Sequence, residues 1–199
     1  MDKIVPTGRP REFNPDKALD RALKVFWRKG YEGASLPDLT KAMGINRPSL
    51  YAAFGNKEAL FRKAIDRYLE GPAAPVRAAL QQPTARAVVE QVLHGTIDLV
   101  TDSRNPQGCF LVQAALACGD SADCVRRELA KRRDAGVTAL RERFERAVAE
   151  VDLPANCNPA DLARYVATVM HGLSVQAAGG AQRDDLEQVA KIALRAWPE

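Results

Sequence analysis

Apolar residues recur along most of this chain at intervals of three and four, and nowhere in strict alternation, so the pattern predicts helices and no strands. A first helix is expected over 15–29, where Leu19, Ala22, Leu23 and Phe26 form one stripe and Gly30 supplies a stop. A second starts at Ser35 with Leu36, Leu39 and Met43 on one face, and a third follows Asn46 with Leu50 and Phe54 turned inward. Ser35 and Asp38 have capping-box spacing. Gly44 can end one helix in a left-handed conformation, and Asn46 can cap the next ahead of Pro48. A fourth helix begins after Asn56, carries Leu60, Phe61, Ala64, Ile65 and Tyr68, and stops at Gly71-Pro72, where a domain boundary is expected. A weaker stretch at 73–81 and helices near 84–103, 106–118, 121–150, 161–177 and 183–197 complete the chain.

Two short helices joined by a turn of three residues suit a DNA reader. The third helix leaves Arg47, Ser49, Tyr51 and Ala52 on its outer side, which fits a rod whose N-terminal end enters a major groove. Spacing alone also fits an ordinary helical hairpin. Charge supports the first reading: residues 1–70 hold 14 Lys and Arg against 9 Asp and Glu, and residues 71–199 hold 15 against 16, so the basic excess is N-terminal and matches a phosphate-bearing partner. The run Arg126, Arg127, Lys131, Arg132 and Arg133 reads as a solvated helix face with acidic neighbours.

From Gly30 to Phe61 the segment resembles the N-terminal DNA-binding domain of the TetR family of bacterial one-component regulators. The residues that carry the resemblance are Gly30-Tyr31, Gly44-Ile45, Leu50-Tyr51 with Phe54, and Lys57-Glu58 with Leu60, and it extends over 9–70. Pro37 and Pro48 depart from the pattern, but both fall in a first helical turn, where a missing N–H has no partner to lose. The resemblance implies an all-α fold of about nine helices: an N-terminal three-helix helix-turn-helix DNA-binding domain over 9–70 and a C-terminal helical effector-binding and dimerisation domain over 71–199. It places Arg47, Ser49 and Tyr51 on the reading face, with Tyr51 at the backbone, and Lys57 at a phosphate; Ser35, Asn46 and Pro48 are further candidates at the DNA, and Arg47 is the residue expected to read a base. Arg9 and Arg11 form a basic arm that either enters a minor groove or brushes the backbone. A palindromic operator, a homodimer and a small-molecule effector are the implied partners, with helix 4 as the mechanical link and repression as the function.

The C-terminal half carries less chemistry. Cys109, Cys118, Cys124 and Cys157 form no C-x-x-C pair, so neither a zinc site nor a disulfide framework is indicated, and no cofactor is expected. Cys109 stands in Asn105-Pro106-Gln107-Gly108-Cys109-Phe110-Leu111, near the start of an expected helix. It is either a sensing thiol, as in electrophile-responsive members of that family, or a small buried hydrophobe. His94, Phe110, Gln113 and His171 are candidates to line an effector pocket with it. By resemblance the last two helices pair with a second subunit through Tyr165, Val169, Leu173, Leu186, Val189, Leu194 and Trp197; from periodicity alone they could equally close the protomer's own core. A cysteine-dependent enzyme using His94 or His171 as base is a rival reading, and so is a helical ligand-binding dimer without DNA recognition. The polar N-terminus has no secretory apolar core and no stretch approaches a membrane span, so a cytoplasmic location is expected.

Overall fold

The computed structural model describes residues 13–116 and 122–198; Arg9, Arg11 and Cys118 lie outside them. Ten α-helices and one 3-10 turn make up these residues, and no strand occurs among them. The helices are α1 (Pro15–Gly33), α2 (Leu36–Met43), α3 (Arg47–Phe54), α4 (Lys57–Glu70), α5 (Ala74–Ala78), α6 (Ala85–Thr101), α7 (Phe110–Leu116), α8 (Asp123–Ala149), α9 (Pro159–Ala178) and α10 (Arg183–Arg195), with the 3-10 turn at Ala79–Gln81.

Local chemistry sets most boundaries. Asn14, Asn46 and Asn56 each accept a backbone N–H from the residue three positions on, at 3.0, 2.9 and 2.8 Å, which satisfies otherwise orphaned donors at the starts of α1, α3 and α4. Ser35 and Asp38 form the full capping box of α2. Gly30 adopts φ 68° and breaks the regular course of α1 there, leaving one more turn before Ala34. The helix expected over 106–118 instead starts at Phe110, because Gly108 sits at φ 78° in the left-handed region and the residues before it form turns.

Two apolar cores result. One, among α1 to α4, contains Leu23, Phe26, Trp27, Leu39, Leu50, Phe54, Leu60, Phe61 and Tyr68. It is completed from further along the chain by Phe110, Leu111 and Ala114 of α7 and by Val125 and Leu129 of α8. The other joins α6, the second half of α8, α9 and α10 through residues such as Val89, Leu93, Ile97, Leu140, Phe144, Val166 and Leu186. Thus α8 spans both cores: its first half packs with the head and its second half with the C-terminal bundle.

The expected pairing face divides. Leu173, Leu186, Leu194 and Trp197 are buried inside this protomer, and Trp197 lies 5.2 Å from the Phe144 ring, which corrects their assignment to a subunit interface. Tyr165 and Val189 are exposed, Val169 is half-buried, and Val175 and Ile192 add exposed apolar surface on the same two helices. The apolar stripes were broad because each helix has one side in the core and a second, narrower one outside.

Phe110 is fully buried, with its ring 5.5 Å from Phe61 and 5.6 Å from Tyr68. Phe110→Ala should therefore cost about 3–5 kcal/mol in urea unfolding, and a loss below about 1 kcal/mol would show that the cluster closes without it. Asp38 offers a second check. Hydrogen bonds from Lys29, 2.9 Å away, and then from Ser35 hold its carboxyl down at about 2. A depressed carboxyl stabilises the fold fully above its unfolded value near about 4 and loses that contribution as pH falls through the folded value. The stability gap between wild type and Asp38→Asn should accordingly be widest above pH 4 and shrink toward about pH 2, as read by urea midpoints across that range.

Candidate nucleic-acid interface and cavity

The candidate reading unit is α2, a three-residue turn and α3. Gly44 ends α2 at φ 72° with its N–H directed to the Thr40 and Lys41 carbonyls, and Ile45 returns to the Thr40 carbonyl at 3.1 Å. These bonds hold Gly44 and Ile45 against the end of α2 and set the direction in which α3 departs. Leu50 and Phe54 anchor α3 in the core, while Arg47, Pro48, Tyr51 and Ala52 face outward and Ser49 is half-buried. Tyr51 keeps 48% of its surface exposed, large for an aromatic side chain with no burial to gain. Pro48 lies in the first turn of α3, where Asn46 already caps the Ser49 N–H, so the proline removes no helical bond.

The other expected contacts are more constrained. The Ser35 hydroxyl donates to Asp38 at 2.7 Å and accepts the Asp38 N–H at 3.2 Å, so its hydrogen-bonding capacity is largely used inside the cap. Asn46 commits its carbonyl oxygen to Ser49 and retains its amide N–H groups. Lys57, half-buried at the start of α4, holds its ammonium 4.5 Å above the Tyr31 ring. Burial lowers its pKa, partly offset by the charge of Glu32. An anion arriving there would meet the positive end of α4 together with a poorly solvated cation.

Behind the head, a cavity of about 690 Å³ opens among α4 to α9. Val76, Leu80, Leu99, Leu140 and Met170 give it an apolar lining, and Tyr68, Thr96, Cys109, Arg133, His171 and Ser174 are among its polar groups. Half-buried Cys109 receives a hydrogen bond from the Tyr68 hydroxyl across 3.1 Å. Burial, followed by the charge of Cys109, pushes Tyr68 well above its ordinary range, so the phenol stays protonated and able to donate at neutral pH. One residue back, the Gly108 carbonyl accepts the buried indole N–H of Trp27 from α1 at 3.1 Å. A Cβ on Gly108 would stand 3.0 Å from Gln113 and 3.1 Å from both Ala178 and the Ser174 carbonyl, so this stretch is clamped on every side.

The expected pocket residues scatter. Cys109 and His171 line the cavity. Phe110 belongs instead to the aromatic core, and Gln113 lines a separate, more polar cleft of about 520 Å³ beside Trp27, Lys29 and Asn105. His94 is exposed on α6, with Nδ1 2.9 Å from the Glu90 carbonyl. Neither histidine forms a hydrogen bond with Cys109, whose partner among the described residues is Tyr68. Arg133 is another correction. Arg126 and Arg127 pair with Asp123, and Arg132 pairs with Glu128 and Asp66, as a solvated basic face should. Arg133 turns the other way, donates to the Leu111 carbonyl at 3.0 Å and lines the cavity. Tyr68 was legible as a core position of α4, but nothing in its spacing marked the hydroxyl's bond to Cys109.

Comparison with known proteins adds independent findings. Residues 18–64 match the model for bacterial regulatory proteins of the tetR family, and residues 83–193 match a tetracyclin repressor-like C-terminal domain. The chain is 34% identical over 194 residues to the HTH-type transcriptional repressor ComR of Escherichia coli (strain K12), covering 96% of this chain and 92% of that protein. It is 31% identical to the HTH-type transcriptional repressor BdcR of the same strain, over 94% of this chain and 90% of that one. Among solved structures, a cysteine mutant of the TetR family transcriptional regulator CifR, complexed with 26-bp double-strand operator DNA, superimposes with a TM-score of 0.91 at 46% identity, covering 96% of this chain and 100% of that one.

The Tyr68–Cys109 pair generates a test. The Tyr68 hydroxyl is hydrogen-bonded to the Cys109 sulfur and fixes its orientation at the cavity. Tyr68→Phe keeps the ring and removes the donor, so alkylation of Cys109 by a maleimide at neutral pH should slow several-fold, followed by mass spectrometry in a variant lacking the other cysteines. An unchanged rate would mean that the hydrogen bond has no bearing on the thiol's chemistry.

Proposed function

The chain belongs to the tetR family of bacterial regulatory proteins, and from that premise we propose a dimeric, sequence-specific DNA-binding repressor whose operator is released when an effector occupies the cavity beside Cys109. The observation that carries this reading is α3: an eight-residue helix, anchored by Leu50 and Phe54 and oriented by a hydrogen-bonded glycine turn, with Arg47, Tyr51 and Ala52 facing outward. The operator complex of CifR and the repressors ComR and BdcR support it.

We divide the labour at the end of α4, with the head's core completed from α7 and α8. Residues 9–70 read DNA; residues 71–199 bind the effector and pair the subunits. The exposed apolar side of α9 and α10, with Tyr165, Val175, Val189 and Ile192, is the surface we assign to a second copy. Two copies are needed because phosphate contacts give affinity without sequence information and one short helix reads few base pairs. On this reading the protein acts in the cytoplasm, carries no cofactor and catalyses no reaction. No described helix is long and apolar enough to cross a membrane.

The effector works only through differential affinity: it must prefer a conformation whose reading heads misfit successive major grooves, about 34–36 Å apart for half-sites one turn apart. Cys109 at the cavity wall, hydrogen-bonded to Tyr68, supports a thiol-reactive effector as one member of the class, with reversible occupancy as the other.

Selection from a random duplex pool with purified protein tests the DNA reading. One duplex family should emerge at moderate ionic strength, and its absence would overturn the assignment. On the selected duplex, Arg47→Ala should cost about 1–3 kcal/mol more than on unselected DNA, as expected of a bidentate contact to guanine. Equal losses on both would reduce Arg47 to a phosphate contact.

A further inference from the structure

The cavity has a charge asymmetry that its apolar wall does not explain. Three arginines, Arg77, Arg132 and Arg133, line it against one carboxylate, Glu70. Arg77 and Glu70 are exposed at the rim, and Arg132 is held by Glu128 at 2.7 Å and Asp66 at 2.9 Å. Arg133 differs from all three. It is half-buried, forms no ion pair with any described carboxylate, and spends one guanidinium N–H on the Leu111 carbonyl. A guanidinium carries five such donors, so four remain. His171 lies close enough to feel that charge: burial first, then Arg133, pushes its pKa down, which leaves a neutral imidazole at neutral pH with a ring N–H to donate. Thr96 and Ser174 face the same space but donate their hydroxyl hydrogens to backbone carbonyls of their own helices, at 2.7 and 2.9 Å, and so offer acceptors.

We propose that the cavity selects an amphipathic organic monoanion, with a carboxylate-like head held by Arg133 and His171 and an aliphatic or aromatic body packed against Val76, Leu80, Leu99, Leu140 and Met170. A cavity of about 690 Å³ falls within the usual range for small-molecule sites. A half-buried guanidinium without a carboxylate gains most from an anionic partner, because a charge-assisted, bidentate contact in a partly dry site is worth more than its hydrated equivalent. A cation would meet Arg133 with no compensating carboxylate deeper than Glu70 at the rim. A neutral ligand would fill the apolar wall and leave the asymmetry unused. Cys109 and Tyr68 line the same cavity, so an anion carrying an electrophilic carbon would share it with the thiol. This deepens the effector reading above and rests on it only for the consequence at DNA.

The test uses the full chain and three probes with the same alkyl chain: decanoate, decanol and decyltrimethylammonium. Isothermal titration, with protection of Cys109 from maleimide as the marker of location, should show decanoate binding about tenfold or more tighter than decanol, with the ammonium probe weakest. Arg133→Gln should erase the preference for decanoate while leaving decanol binding in place, and Arg133→Lys, which keeps the charge, should retain part of it. Equal binding of decanoate and decanol, a preference for the ammonium probe, no saturable decanoate binding, or an unchanged preference in Arg133→Gln would each overturn the proposal. Operator affinity with and without decanoate separates the two readings. Arg133-dependent binding that leaves DNA affinity unchanged preserves the ligand class and removes the effector role; release by decanol and decanoate alike preserves the effector role and removes the anion preference.

Discussion

The aromatic cluster around Phe110 is the constraint on which the rest of this structure depends. Trp27 meets Tyr68 edge-on with centroids 4.9 Å apart, Phe26 meets Phe61 at 5.0 Å, and Phe110 enters from α7 to touch Trp27, Phe61 and Tyr68. Edge-to-face contacts of this kind add to area burial and are directional, so the rings fix the angle of α1 against α4 as well as their separation. A head of four helices, α1 to α4, cannot bury enough surface alone to be comfortably stable. It borrows Phe110, Leu111 and Ala114 from the other half of the chain, and its geometry is then set by where α7 stands.

That loan gives the segment Gly108–Leu111 two faces. Toward the head it offers the Gly108 carbonyl to Trp27 and the Phe110 ring to the cluster; toward the cavity it offers Cys109 and Leu111. Gly108 has no room for a Cβ, and the bond from Trp27 is buried, so a shift of Cys109 must either carry the carbonyl along or leave an indole N–H unpaired in a dry site. Either outcome is costly on the scale of a few kcal/mol, which is also the scale of a useful coupling free energy between two sites. Occupancy of the cavity therefore has a short physical route to α1, alongside the direct one through α4, whose Tyr68 and Leu69 line the same space.

The head was largely legible in the sequence because its signals are local. Ser35 with Asp38, Gly44, Asn46 and Asn56 each act within three or four residues, and each caps or ends the helix that its spacing announces. What stayed hidden depends on contacts across the chain. Tyr68 and Cys109 are 41 positions apart, and each has an ordinary role in its own segment. Arg133 belongs to a basic run whose members Arg126, Arg127 and Arg132 pair with carboxylates, and a helical period cannot single out one residue of such a run when only the neighbouring α7 carbonyl decides its direction. Leu173 and Val189 are both apolar residues on apolar stripes; that one is buried in its own protomer and the other is outside is a property of how α9 and α10 sit on α6 and α8.

An eight-residue α3 spans about 12 Å, the length of a few base steps, and this sets what the remainder of the molecule has to supply. With the contacts proposed above, affinity from one head would rest on Arg47, Lys57 and a few backbone contacts, nearly all of which any duplex satisfies. Sequence discrimination then has to come from using the same head twice at a fixed separation, since a second copy squares the selectivity only if its spacing matches the groove repeat. Fixed separation requires a stiff connection between reading helix and pairing surface. If pairing runs through α9 and α10 as proposed, the 27 residues of α8 supply that connection, packing at one end against the aromatic head and at the other against the helices whose outer sides carry Tyr165, Val189 and Ile192. On the proposed reading, a cavity placed against that connection, rather than at the DNA, would let a small ligand change the separation of two heads without competing for the groove.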